Sequence, residues 1–257
     1  MNDDSSTSGA WTPPSSMEEK AKRMLVPPAL YIKNLYRREC LKGEKEIGLV
    51  PFLAKADKLS LDIGANKGVW SYAMLPHSLG VHAFEPNPKS LEILRSWGKS
   101  KLTIHDMALS NQTGTATLYV PKGLRSSYSN QRSSLVLTRT EGHGSVTVDT
   151  KKLDDLNITN IGFMKIDVEG FEQQVLQGAA ETLKRERPNL VIEIEEKHTK
   201  QRIEDQLNAV CGYGYDCFAL LRGTLTPMAL IDFERHHRAP ATRADYVFNF
   251  IFLPRSK

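Results

Sequence analysis

The first chemistry this sequence offers is a set of acidic residues placed just past short apolar runs. Asp62 lies in LSLDIGANKG (59–68), Glu85 follows VHAF (81–84), and Asp167 and Glu169 close IGFMKIDVEG (161–170). Short apolar runs bounded by turn residues read as buried strands. In an open α/β sheet, ligands sit beyond the carboxyl ends of such strands. An acid about 20 residues after the first turn, as Glu85 is, stands where such folds grip a ribose hydroxyl pair. A carboxylate can accept from both hydroxyls at once.

The turn after the first run separates two kinds of ligand. A dinucleotide site wants Gly-x-Gly-x-x-Gly. Counted from Gly64, the chain has Asn66 and Val69 at the second and third glycine positions, which disfavours a dehydrogenase. The spacing present is Asp-x-Gly-x-Asn-x-Gly, from Asp62 to Gly68. Gly64 accepts positive φ, Asn66 tolerates it, and the turn aims backbone N–H groups at whatever lies above. The leading carboxylate suits a cationic amino group better than a pyrophosphate, which it would repel. That favours the methionine half of S-adenosylmethionine. Asp106, in HDMA (105–108), can accept from an adenine amino group, with Met107 or Ala108 covering the ring.

Methyl transfer from a sulfonium is an in-line displacement governed by positioning, and a hydroxyl acceptor gains from a general base. Asp167, Glu169 and His198 are the candidates, and no metal is assigned. A divalent cation on Asp167 is a weaker alternative, because no partner ligands stand at matching spacing. The acids at the end of LVIEI (190–194), Glu193, Glu195 and Glu196, read mostly as solvated, with Glu193 paired in the sheet or aimed at the site. His236-His237, inside a basic run, reads as solvated surface.

The elements that must position these groups follow from pattern. Residues 1–16, rich in Ser, Thr, Asp and Pro, read as a mobile tail. Residues 17–56 read as a helical segment around Pro27-Pro28, with Ile47, Val50 and Leu53 on one face. Residues 57–257 read as the main domain. Asn87 and Pro88 begin a helix that Gly98 stops. One helix is expected over Phe171–Arg185, and another face at Ile203, Leu207 and Val210. Strands 215–221 and 246–253 suggest an antiparallel hairpin at a sheet edge. Residues 115–150 carry two added strands around a long polar stretch, read as a substrate-side insertion with Ser133, Ser134 and Leu135 approaching the site.

A chain of 257 residues with net charge +4 and scattered, balanced charges carries no nucleic-acid footprint. No run reaches the ~18 apolar residues of a membrane helix. No signal-peptide core is seen, and the scattered Cys40, Cys211 and Cys217 fit reduced thiols. A cytoplasmic location is the expectation.

DIGANKG (62–68), FEP (84–86), ALS (108–110), KIDVEGF (165–171) and VIEIE (191–195) occur in that order. Together they resemble the FkbM family of S-adenosylmethionine-dependent methyltransferases. The resemblance spans about residues 44–197. It implies the three-layer, Rossmann-like class I methyltransferase fold: a seven-stranded, mostly parallel sheet with one antiparallel strand. It also implies methylation of a hydroxyl on a sugar or polyketide-like small molecule. Carried over, Asp62, Gly64, Asn66 and Gly68 hold the amino-acid end of the cofactor and Glu85 its ribose. Ala65, Asp106, Ala108 and Asp167 are also expected at the cofactor site. The family's residue after GAN is usually apolar, whereas this chain has Lys67. N-methylation on the same fold, or cofactor binding without catalysis, are the alternatives. The oligomeric state is not legible.

Overall fold

The computed structural model describes residues 13, 25–121, 134–135 and 143–256. Most of the expected tail, residues 17–24 and Ser133 lie outside the described residues. The strands are β1 Leu59–Ile63, β2 Gly80–Phe84, β3 Leu102–His105, β4 Ala108–Leu109, β5 Gly114–Pro121, β6 His143–Lys151, β7 Ile161–Ile166, β8 Asn189–Glu193, β9 Tyr215–Leu221, β10 Thr224–Pro227 and β11 Asn249–Pro254. The helices are α1 Pro28–Lys42, α2 Val50–Leu53, α3 Val69–Met74, α4 Pro88–Trp97, α5 Glu172–Gln177, α6 Ala180–Glu186, α7 Glu196–Thr199 and α8 Ile203–Cys211.

The main sheet runs β10-β9-β11-β8-β7-β1-β2-β3. Neighbours from β8 to β3 pair in parallel, and β11 lies antiparallel to both β8 and β9. From β9 to β3 this is the expected seven-stranded sheet with one reversed strand. The short β10 folds back on β9 and adds an eighth at the edge.

Parallel strands are covered on both faces, so their sequences stay apolar throughout. All six residues of β7 are buried. Alternation then sorts side chains between two layers. Leu61, Met164 and Ile192 meet Val175, Leu176 and Leu207 on one face. Val81, Phe163 and Val191 meet Ile47, Val50, Trp70 and Met74 on the other.

The element ends explain how the site-bearing loops are held. Asn87 caps α4 by accepting from Lys89 N at 3.1 Å, with Pro88 in the first turn. Gly68 opens α3 at φ 84°, and a Cβ there would lie 2.3 Å from Trp97. β5 and β6 form a long antiparallel pair, which β4 joins in a second, three-stranded sheet. Leu118, Val120, Val146 and Val148 make its small core, against which Leu135 packs.

Three expectations are corrected. The helix expected over Phe171–Arg185 breaks at Gly178, where a Cβ would sit 1.9 Å from the Ser110 carbonyl oxygen, giving α5 and α6 instead. The terminal strands are neighbours, yet they do not form an edge hairpin: β11 inserts between β8 and β9, and β10 takes the edge. His236 and His237 are buried in a π-helical turn (Glu234–Arg238) and are not solvated surface. His236 Nδ1 pairs with Asp245 O at 3.2 Å and His237 Nδ1 with Val247 O at 2.8 Å, so backbone partners draw both rings inward.

Candidate active site

A pocket partly open to solvent, its space about 620 Å³ with the open solvent counted, lies across the carboxyl ends of β1, β2 and β7. Its wall includes Gly64, Asn66, Glu85, Ala108, Asp167 and Glu169, with Leu118, Ser134 and Leu135 arriving from the second sheet.

The β1–α3 turn is fixed by close approach. Gly64 has φ 81°, and a Cβ on it would lie 1.8 Å from the Asp167 carbonyl oxygen. Only glycine lets the β1 and β7 loops meet at this distance. Asn66 also takes positive φ, at 51°. The N–H groups of this turn are not free, contrary to the expectation from sequence. Gly64 N and Ala65 N both donate to Phe84 O at 3.0 Å, and Gly68 N donates to Ala65 O at 2.8 Å. Asn66 N donates to Glu85 Oε2 at 2.6 Å, and Asn87 N donates to Glu85 Oε1 at 2.8 Å. The turn therefore presents shape and carboxylate oxygens rather than a cradle of donors. That is a surface for hydroxyls and cations, not for a pyrophosphate.

Burial shifts these acids upward. Glu85 rises to about 7, although its two backbone donors pull it down. Asp62 rises to about 6 by burial, opposed by the Ser71 hydroxyl that donates to Oδ2 at 2.5 Å. Asp62 lies beneath the turn rather than in the pocket wall. Ala65 and Gly68 likewise shape the turn from behind. Asp106 stands apart from the wall, exposed and paired with Arg95 at 3.0 Å.

Across the pocket, the β7–α5 loop is strained. Glu169 takes φ 53°, a left-handed conformation that costs about 1 kcal/mol or more for a residue with a Cβ. Glu172 Oε1 accepts from Gly170 N at 2.9 Å, and the Ser134 hydroxyl donates to Glu169 O at 2.7 Å, which together hold the loop. Glu169 Oε2 then lies 3.1 Å from His198 Nε2, on α7. Burial raises the Glu169 carboxyl to about 8, and Asp167 and Glu195 add to the rise.

Behind Asp167 sits a charge cluster built from distant parts of the chain. Lys165, with 1% side-chain exposure, lies 3.6 Å from Glu44 and 3.9 Å from Asp167. Its Nζ donates to Asn249 Oδ1 at 2.7 Å and rests 5.1 Å from the Trp70 ring centroid. Glu44 Oε2 accepts from Trp70 Nε1 at 3.1 Å and Asn249 Nδ2 at 2.9 Å. Glu44, Asp167 and Glu193 lie close enough together to hold a cation. The Lys165 ammonium already supplies that charge. Burial would lower Lys165, but Glu44, Asp167 and Glu193 outweigh it and push it up, so it stays charged. Asp167 is raised to about 6 by burial, with Lys165 acting against the rise.

The sequence therefore located the turn, Glu85, the β7 loop and the Ser134–Leu135 approach. It did not assign Glu44, Asn249, Tyr246 or Glu195 to the site. The apolar neighbours of Glu193 hinted at a buried acid there. Glu195 carried no comparable signal, yet it is buried.

Residues 62–217, more than half of the chain, match the family described as Methyltransferase FkbM domain. Among curated proteins, the 2-O-methyltransferase NoeI of Sinorhizobium fredii is 27% identical over 164 residues, which are 57% of this chain and 67% of that protein. Among solved structures, methyltransferase FkbM from Methylobacillus flagellatus KT superposes with a TM-score of 0.50 at 16% identity. That superposition covers 90% of this chain and 56% of the other, so the chain spans little more than half its length. The likeness to it is one of fold. Among the described residues, no helix is long and apolar enough to cross a membrane.

Proposed function

The chain belongs to the FkbM methyltransferase family and takes S-adenosylmethionine as its methyl donor, and from this premise we propose that it methylates a hydroxyl oxygen on a polar, sugar-like acceptor. The observation that carries this reading is the Glu169–His198 pair, 3.1 Å apart, with Glu169 in the pocket wall.

The residues present fit the donor. Gly64 lets the β1 and β7 loops close together at the pocket floor, and the acids around the pocket face where a ribose and a cationic amino-acid end would lie. Asn66 and Glu85 would hold the ribose side. Ala108 and Leu109 would cover the base. Asp167 would face the amino group. Asp62, through Ser71, keeps the turn in shape. When bound, the donor supplies a methyl on a positively charged sulfur.

The chain's own part is alignment and proton removal. Glu169 receives the acceptor's hydroxyl proton as the oxygen takes the methyl, and the sulfur keeps the electron pair of the broken bond. His198 shares that proton through Nε2. A base raised to about 8 is strong for a carboxylate and must be ionised to act, so turnover rises with pH towards that value. Leu118, Ser134 and Leu135 shield the reacting atoms from water.

NoeI, the relative at 27% identity, is a 2-O-methyltransferase, which supports oxygen as the acceptor atom. One feature supports a polar acceptor over an apolar polyketide. A second, open cleft of about 1130 Å³ beside α7 is lined by Lys197, Lys200, Gln201, Arg202, Arg238 and Tyr246, groups suited to a polyhydroxylated chain.

The test is transfer of a carbon-13 methyl from the donor to a panel of mono- and oligosaccharides, with the product read by NMR. An O-methyl signal supports the reading, and an N-methyl signal or none overturns it. Glu169→Gln is expected to lower turnover by about 10²–10⁴-fold, the usual worth of a general base.

A further inference from the structure

The Glu169–His198 pair has a third member. Glu195 follows β8 at 4% side-chain exposure. Its Oε1 lies 3.9 Å from His198 Nε2, on the imidazole nitrogen that also meets Glu169. Its Oε2 accepts from Lys197 Nζ at 2.5 Å and from the Tyr246 hydroxyl. The His198 backbone N–H donates to the Glu195 backbone carbonyl at 3.2 Å, so the two residues sit on one tight turn. Two carboxylates thus flank one ring nitrogen, and their surroundings differ. Burial pushes Glu195 up, but hydrogen bonds from Lys197 and Tyr246 outweigh it and hold the group below the usual carboxylate range. Lys197 also pulls Glu169 down, but burial, Asp167 and Glu195 outweigh it and push that group the other way. Acids driven apart in this manner have separate roles.

We propose that Glu195, clamped by Tyr246 and Lys197, is a positioning residue that draws the proton shared by Glu169 and His198 onto the imidazole. Glu169 is thereby left as the carboxylate that faces the acceptor. The inference deepens the reading of Glu169 as the base and rests on it. The proton only changes its seat within the pair, so no further reactant is needed.

Among the described residues, the other charged groups on neighbouring elements have partners of their own. Asp167 and Glu193 are drawn to Lys165. Glu196 and Glu204 are held by Arg238 at 2.6 Å each. His237 accepts from Glu196 N through Nε2 and meets Val247 O through Nδ1, so both its ring nitrogens are engaged with backbone.

The test is a titration of His198 by carbon-13 NMR on the full chain with labelled histidine and no acceptor. Removing an opposite charge at this distance lowers a histidine by about one unit or more, so Glu195→Gln should bring His198 down by that amount. Lys197→Ala removes the cation that partly neutralises Glu195, so His198 should move up. Tyr246→Phe loosens the clamp and should give a smaller fall than Glu195→Gln. A merely structural role would not yield opposite signs from the two charge changes. An unmoved His198 in Glu195→Gln, or the same direction in Lys197→Ala, overturns the proposal. If Glu195→Gln does not fold, the sign in Lys197→Ala, whose side chain is 60% exposed, decides. The titration reads His198 directly, so its failure removes Glu195 alone. Failure of the methyl-transfer reading would instead show as no labelled product from the wild-type protein.

Discussion

The two walls of the pocket are built on different principles. On the β1–β2 side the constraints are close packing and backbone hydrogen bonds, most of them between residues near in sequence. Gly64 and Gly68 clear space, and the backbone N–H groups of the turn are satisfied by Phe84, Ala65 and Glu85. On the β7–β8 side the constraints are electrostatic and come from across the chain. Glu44 and Asn249, from the two ends of the described chain, meet at Lys165, and four acids (Asp167, Glu169, Glu193 and Glu195) share it with Lys197. A wall held by shape, with Asp167 reaching the donor's amino group from the opposite side, can seat the same donor whatever the acceptor. A wall of competing charges can be retuned by single substitutions, which is what acceptor choice and proton transfer require.

This contrast makes the largest effect a steric one. Gly64→Val would place side-chain atoms where the Asp167 backbone lies and force a branched residue to φ 81°. Donor affinity is expected to fall by about 100-fold or more, roughly 2.7 kcal/mol, by calorimetry. Near-normal affinity would mean that the turn is not the donor's seat.

The next effect breaks the opposite wall. Lys165→Met removes a fully buried cation and leaves the half-buried Glu44, Asp167 and Glu193 without it. Losing one partner of a fully buried pair costs about 3–5 kcal/mol; with part-exposed acids the loss should fall below that, seen as a lower unfolding midpoint in denaturant. Glu44→Gln should recover part of that loss when combined with it, because it removes one stranded charge. A Lys165→Met protein of unchanged stability would show that the cluster is not a closed ionic unit.

A smaller effect spans both walls. Glu46, Glu85 and Glu172 are raised to about 7, and Asp62 and Asp167 to about 6, in each case chiefly by burial. A group whose folded pKa is raised holds its proton longer in the folded state. Its contribution is full below the unfolded value and is lost as pH climbs through the folded one. Burial raises Glu169, to about 8, and Glu193 as well, while it lowers His82, and His105 to about 4, with the reverse sign, so two groups stand against seven. Stability of the donor-free protein should therefore decline as pH rises from about 5 to about 7, measured by thermal melts. A rise across that window would contradict the burial of these acids.

The same contrast explains how far the sequence could be read. The geometric wall is written locally: Gly64, Asn66 and Gly68 sit within one turn, and Glu85 and Asn87 within the next. Helix α4 was legible end to end, because its cap, its first-turn proline and its stop are adjacent in sequence. The electrostatic wall is not local. Glu44 and Asn249 are separated by nearly the whole described chain, and Tyr246 reaches Glu195 only after β11 inserts between β8 and β9. Nothing in EIEE marks Glu195 as buried, since alternation in a strand that ends at Glu193 says little about the residues beyond it. Asp106 shows the converse: position suggested a ligand, but Arg95, one helix away, takes its carboxylate.

The most direct test of a two-walled site is calorimetric binding of S-adenosylmethionine to the Glu169→Gln protein. If shape holds the donor and charge serves the acceptor, affinity stays within about threefold of wild type while turnover is lost. If donor affinity falls along with turnover, the two walls are one, and the division of labour described for this site is wrong.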